Sequence, residues 1–145
     1  MQVKELLSKK GNEIHSIEPN ETVYAAIEKM AEHNIGALLV TEGDVLVGII
    51  SERDYRNKVI LKGRTSKNTK VHEIMTEKVF RVSSSDSVNL CMQLMTDKKI
   101  RHLPVLDSEM IVGVISIGDV VKVTIEKQEV EIDSLRTYIG GGYPG

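Results

Sequence analysis

A chain of 145 residues, 41% hydrophobic and 28% charged, has the composition of a globular protein built as one domain or as two small halves sharing a core. A formal net charge of -2 gives no general attraction to nucleic acid, and 3% aromatics with no Trp exclude a stacking platform for single strands. One cysteine, Cys91, allows no internal disulfide, no apolar run reaches the length of a membrane span, and Met1 to Glu5 carries no apolar signal segment. The expected setting is therefore the cytoplasm, with no nucleic-acid or membrane partner.

In chain order, Val3 to Leu7 reads as a short helical or extended lead-in, and Lys9 to Asn12 as a loop. Ile14 to Ile17 is a strand candidate stopped by Pro19-Asn20. Thr22 caps a helix running to His33 with Val23, Ile27 and Met30 on its apolar face, and Asn34 and Gly36 end it. Ala37 to Val40 and Val45 to Ile50 form a hairpin turned by Glu42-Gly43-Asp44. A helix from Glu52 to Ile60 closes a strand, helix, strand, strand, helix unit.

The unit occurs twice. Setting positions 15–55 against 80–120 needs no gap, and 10 of the 41 pairs are identical, most of them core positions. The lead-in recurs as well, as Val71-His72-Glu73-Ile74-Met75. Between the copies, Lys62 to Lys70 reads as a solvated basic linker, with a share in neutralising a bound phosphate as the alternative. Boundaries at 1–66 and 67–145 follow. Each unit is too small to bury its surface alone, so the halves are expected to pack about an internal two-fold and to leave two related clefts.

The stretch Gly48-Ile49-Ile50-Ser51-Glu52-Arg53-Asp54 returns as Gly113-Val114-Ile115-Ser116-Ile117-Gly118-Asp119. Ser and Asp three residues apart at a strand-to-helix junction are a capping-box variant, which explains them by helix capping alone. The same junction offers free N–H groups and a dipole end to an anion, and a carboxylate able to accept from sugar hydroxyls. The duplication favours the second reading.

The last helix is predicted to run from Asp119 to Ile139 and to fray at Gly140-Gly141-Gly142. Val121, Ile125, Gln128, Ile132, Leu135 and Ile139 follow a heptad spacing, pointing to a second subunit or, alternatively, to folding back on the sheet. Cys91, on an apolar face with Val88 and Met95, reads as core, and the four histidines are too scattered for a metal motif. No spacing suggests a nucleophile triad, a P-loop or a dinucleotide fingerprint.

Together the repeat, the Gly-x-x-Ser-x-x-Asp stretches, Ser51 to Tyr55 and Arg101-His102-Leu103-Pro104-Val105 resemble a tandem pair of CBS domains, a Bateman module, and the short bacterial stand-alone proteins of that kind. The resemblance implies an α+β fold of two β-α-β-β-α repeats about a pseudo-two-fold axis, commonly as a homodimer. It implies a non-catalytic sensor that takes adenosine-containing ligands in its clefts: AMP, ADP, ATP, S-adenosylmethionine or NAD(H). By position, Asp54 and Asp119 would hold ribose hydroxyls and Ser51 and Ser116 would lie near phosphates. Ile17 and Val82, with backbone groups of Ser16 and Ser83, would line the adenine slots, opposite Ala37 and Leu38 or Leu103 and Pro104. Repeat 1 departs from the pattern in Gly36-Ala37-Leu38-Leu39 but carries Arg53 and Arg56 where repeat 2 has Gly118 and Val121.

Packing of the halves would bring Arg53 near Arg101 and His102 around a phosphate, arginine being suited to bidentate phosphate contact. Two rival readings remain: a protein-interaction subunit acting through its last helix, with clefts that bind no ligand, and a nucleotide hydrolase, for which no base or metal site is evident. A sensor would also require a partner to regulate, an enzyme being one candidate.

Overall fold

The computed structural model describes residues 1–142; positions 143–145, the end of the second predicted segment, lie outside it. The order is α1 (Val3–Lys10), β1 (Ser16–Ile17), α2 (Val23–His33), β2 (Ala37–Glu42), β3 (Val45–Ser51), α3 (Glu52–Lys58), α4 (Val71–Ile74), α5 (Val88–Lys98), β4 (His102–Asp107), β5 (Met110–Ser116) and α6 (Ile117–Gly142). In the first half β1 runs parallel to β2, which pairs antiparallel with β3. The second half repeats the β4–β5 hairpin, and its first strand shrinks to a parallel bridge between Val82 and Val105. The β-α-β-β-α repeat expected from sequence is present twice.

Capping chemistry sets the helix ends. Thr22 and Ser87 accept from the Ala25 and Leu90 N–H groups at the starts of α2 and α5. Asn34 and Lys99, at matching places, end those helices in the left-handed conformation. Helix α3 stops at Lys58, short of the expected Ile60, because Val59 turns into the core and is 1% exposed.

Two aliphatic cores result, and each contains a piece of the other half. The first gathers Ile17, Val23, Met30, Leu38 and Ile50 and is completed by Val71 and Ile74 of α4. The second gathers Val88, Cys91, Met95, Leu103 and Ile115 and is completed by Val3, Leu6 and Leu7 of α1. Matching backbone bonds hold the exchange: Val88 N–H donates to Met1 C=O at 2.9 Å, and Val23 N–H to Thr69 C=O at 2.8 Å. Helices of eight and four residues do not hold alone, so burial of their apolar residues, about 1.5–3 kcal/mol for each, makes them.

The exchange explains the repeated glycines. A Cβ on Gly48 would stand 2.7 Å from Met75 Sδ and 3.0 Å from the Thr76 carbonyl oxygen, and one on Gly113 would stand 2.7 Å from Leu7 Cδ2. Gly48 and Gly113 therefore serve packing, admitting the exchanged lead-in against the third strand. The connection at 62–70 is largely solvated, as its composition suggests: it carries a 3-10 turn at Ser66–Asn68, and Thr69 is its one buried residue, the hydroxyl donating to Thr65 C=O at 2.8 Å. Helix α6 continues through Gly140–Gly142, past the expected fraying point, because glycine weakens a helix by about 1 kcal/mol per residue without forbidding it.

Substituting Gly48→Ala is expected to cost about 1–3 kcal/mol in urea unfolding, and Gly113→Ala less. At Gly48 the obstacle includes a backbone carbonyl, whereas at Gly113 it is the end of one leucine side chain.

Candidate functional site

Both Ser–Asp corners act as capping boxes. Ser51 N–H donates to Asp54 Oδ2 at 3.0 Å, and Asp54 N–H returns a bond to Ser51 Oγ at 3.3 Å. The second corner matches at 2.8 and 3.2 Å. The first helical N–H groups go to carbonyls across the sheet, Glu52 to Gly36 at 3.0 Å and Ile117 to Arg101 at 2.8 Å. Two of the first three helical donors in each corner are thus engaged within the protein, contrary to the expectation that they stand free.

Each corner opens on a cavity. The first, of about 650 Å³, brings together Ser51, Asp54, Arg53, Arg101 and His102 beside Ala37. The second, of about 300 Å³, holds Ser116, Asp119, His102, Ala37 and Leu38. Both volumes fall in the range of small-molecule sites, about 300–1,000 Å³. The cavities adjoin, sharing Gly36, Ala37, Ile49 and His102. The other expected residues lie outside the lining of both. Ile17, Val82, Leu103 and Pro104 are buried in strands or at the Val82 bridge. Ser16 pairs with Leu39 in the sheet, and Ser83 N–H donates to Asp86 Oδ2 at 2.8 Å.

Four contributors lie outside the sequence expectations. Lys10 and Lys78 occupy the same place in the two lead-ins, and exchange carries each to the opposite corner: Lys10 to Asp119, Lys78 to the cavity of Asp54. Phe80, 43% exposed, puts an aromatic face in the first cavity, and its counterpart His15 lines the second. The recurrence of Lys10 as Lys78 was legible in the aligned lead-ins. Its destination was not, because the apolar residues of a lead-in fit either core and only packing selects one.

The two carboxylates are neutralised differently. Lys58, one turn along α3, lies 3.0 Å from Asp54 Oδ1. Asp119 Oδ2 is met at 2.6 Å by Lys10, which also donates to Val114 C=O at 2.7 Å. Burial pushes the Asp119 carboxyl up, but Lys10 and the Ser116 N–H outweigh it and hold it below the usual carboxylate range. Burial pushes His102 below the ordinary imidazole value, Asp119 opposes this, and Lys10 and Arg101 add to it. Arg53 Nη1 donates to the Lys99 carbonyl at 2.8 Å, tying α3 to the end of α5 across the two halves. Away from the clefts, burial and the nearby Asp86 raise the Cys91 thiol to about 11, which makes it core rather than nucleophile. Among the described residues no His/Cys/Asp/Glu group is placed to hold a metal ion, and no helix is long and apolar enough to cross a membrane.

Two exchanged β-α-β-β-α repeats with paired central clefts define a class, and the family model of the CBS domain matches residues 3–60 and 71–126. The chain belongs to the CBS-domain family, as a tandem pair. It is 47% identical over 129 residues to the mitochondrial CBS domain-containing protein CBSX3 of Arabidopsis thaliana, covering 86% of this chain and 63% of the relative. It thus spans less than two thirds of that relative's length. It is 33% identical to the CBS domain-containing protein YhcV of Bacillus subtilis, over 74% of this chain and 76% of that protein. A solved structure of a proposed signal-transduction protein with CBS domains from Burkholderia ambifaria superposes with a TM-score of 0.86 at 50% identity, covering 88% of this chain and 96% of the other.

The histidine shift carries a sign. With its folded value below the unfolded one of about 6.5, His102 contributes stability in full above pH 6.5, and that stability is lost as pH falls toward the folded value. The urea midpoint of the native protein is expected to fall between pH 7.5 and 5.5 more steeply than that of His102→Gln. Equal slopes would remove the assignment.

Proposed function

We propose that this protein is a non-catalytic sensor that binds adenosine-containing nucleotides in its two central clefts and signals through rearrangement of its halves or subunits. The observation that carries the reading is the twinned corner: a Ser–Asp pair, a lysine from the exchanged lead-in and the shared His102 open in each case on a cavity of ligand size. A carboxylate accepts from ribose hydroxyls, and arginines beside it suit phosphate oxygens. The CBS domain protein PAE2072 from Pyrobaculum aerophilum, which has this fold (TM-score 0.74, 23% identity), was solved complexed with AMP, making AMP the natural first probe beside ADP, ATP and NAD(H). The ligand acts by differential affinity for two arrangements, and the partner so controlled lies outside this chain. The lone buried Cys91 goes with a cytoplasmic setting.

Calorimetric titration with AMP, ATP, NAD(H) and adenosine tests the reading, with mass spectrometry of whatever copurifies. Binding is expected to raise the melting temperature, and Asp54→Asn and Asp119→Asn each to weaken binding of the ligand held in its own cleft by about 1–3 kcal/mol. Unchanged affinity in both variants would sink the assignment of the corners.

A homodimer through α6 belongs to the same proposal. From 127 to 137 every side chain of α6 is exposed, and Ile125, Ile132, Leu135 and Ile139 line one face at 47 to 61% exposure. A helix leaving the body without packing is marginal in water, and isoleucines alternating with leucine at heptad spacing suit a two-stranded coil with a second copy. A protein-interaction subunit acting through α6 is the second reading, favoured by the same exposed seam. Sedimentation is expected to give a dimer for the native chain and a monomer for Ile132→Lys/Leu135→Lys.

A further inference from the structure

The two clefts share a design but not a charge. The cavity at Ser51 and Asp54 is lined by Arg53, Arg56, Lys78 and Arg101 against Glu52 and Asp54. Asp54 is already neutralised by Lys58, which is not part of that lining, so the four cations face the cavity with one carboxylate, Glu52, to offset them. The cavity at Ser116 and Asp119 is lined by Lys10 against Glu13 and Asp119, with His15 and His102 beside them. Lys10 is held at 2.6 Å by Asp119 and at 2.7 Å by the Val114 carbonyl. Burial keeps His102 predominantly neutral near pH 7. The places that match Arg53 and Arg56 are occupied by Gly118 and Val121, which carry no charge.

We propose that the clefts sort ligands by phosphate charge: the Ser51/Asp54 cleft takes a nucleoside di- or triphosphate, and the Ser116/Asp119 cleft takes an uncharged nucleoside. The inference rests on the nucleotide reading above and assigns a different ligand class to each half of that site. In the first cleft three guanidinium groups offer charge-assisted donors to a polyphosphate, with Arg53 already anchored to the Lys99 carbonyl at the cleft wall. In the second, a phosphate must either lie beside Glu13 and the Lys10–Asp119 pair, with no free lysine or arginine among the described lining residues to meet it, or draw Lys10 away. The first course offers no net attraction, and the second strips the partner from a half-buried carboxylate. A nucleoside meets neither obstacle. Both bonds to Asp119 from Lys10 and from the Ser116 N–H fall on Oδ2, so Oδ1 is available to a ribose hydroxyl while Lys10 stays in place.

Calorimetric titration of the full chain with ATP and, separately, adenosine tests the assignment, using three proteins whose folding is checked by thermal melting. The native chain is expected to take one ATP per chain. Arg53→Gln/Arg56→Gln is expected to weaken ATP by about tenfold or more while leaving adenosine within about threefold. Gly118→Arg places a guanidinium at the position matching Arg53, where an added Cβ meets nothing nearer than Ser116 Oγ at 3.7 Å, and is expected to raise the count to two ATP per chain. Two ATP bound with comparable affinity by the native chain, or a count that stays at one in Gly118→Arg, overturns sorting by charge. So does a loss of adenosine affinity as large as that of ATP in the double variant. If the native chain binds neither probe, the nucleotide reading itself falls, a result distinct from all three.

Discussion

The mutual exchange of lead-in helices is the constraint on which the rest of this structure depends. Neither half closes its own core: α1 supplies Val3, Leu6 and Leu7 to the second, and α4 supplies Val71 and Ile74 to the first. Because burial of these side chains is the main force holding such short helices, the halves cannot separate without each losing part of its core. The exchange therefore ties the pseudo-symmetric halves together through both cores, and the clefts open where the halves meet.

The same exchange furnishes the clefts. Each lead-in ends beyond its apolar residues in a lysine, and the crossing delivers Lys10 and Lys78 to the corners of the opposite repeats. The bare Cα atoms of Gly48 and Gly113 allow the approach, and Leu7 and Met75 fill the space a side chain would need. Packing and site chemistry meet here: the contact that completes a core also sets a cation beside a carboxylate.

Capping does not exhaust the acceptors of the Ser–Asp pairs. The capping bonds between serine and aspartate involve Oδ2 in both corners, which fixes each carboxylate without using all of its acceptor capacity. A side chain held in one orientation by its own helix loses little further freedom on meeting a ligand, the usual advantage of a preorganised site. What distinguishes the corners is the origin of the neutralising lysine, intrahelical Lys58 in one and exchanged Lys10 in the other.

Much of this was legible in the sequence, because the signals are local or repeated. Thr22 and Ser51 mark helix starts by the bonds they make to their own backbone, the alternation of apolar residues marks the hairpins, and a gapless 65-residue shift exposes the duplication. The corners that bring Ser51 and Asp54, or Ser116 and Asp119, to a cavity are short-range, so their composition could be read directly. The partner of each lead-in could not, since Val3 fits either core by its apolar character and only three-dimensional packing selects the second. That choice placed Lys10 on Asp119, while Ile17 and Leu103 in buried strands and Val82 at its bridge lie outside the lining of both cavities. Local patterning determined the elements and their duplication; long-range packing, which has no sequence period, decided which half completes which and so how much charge each cleft retains.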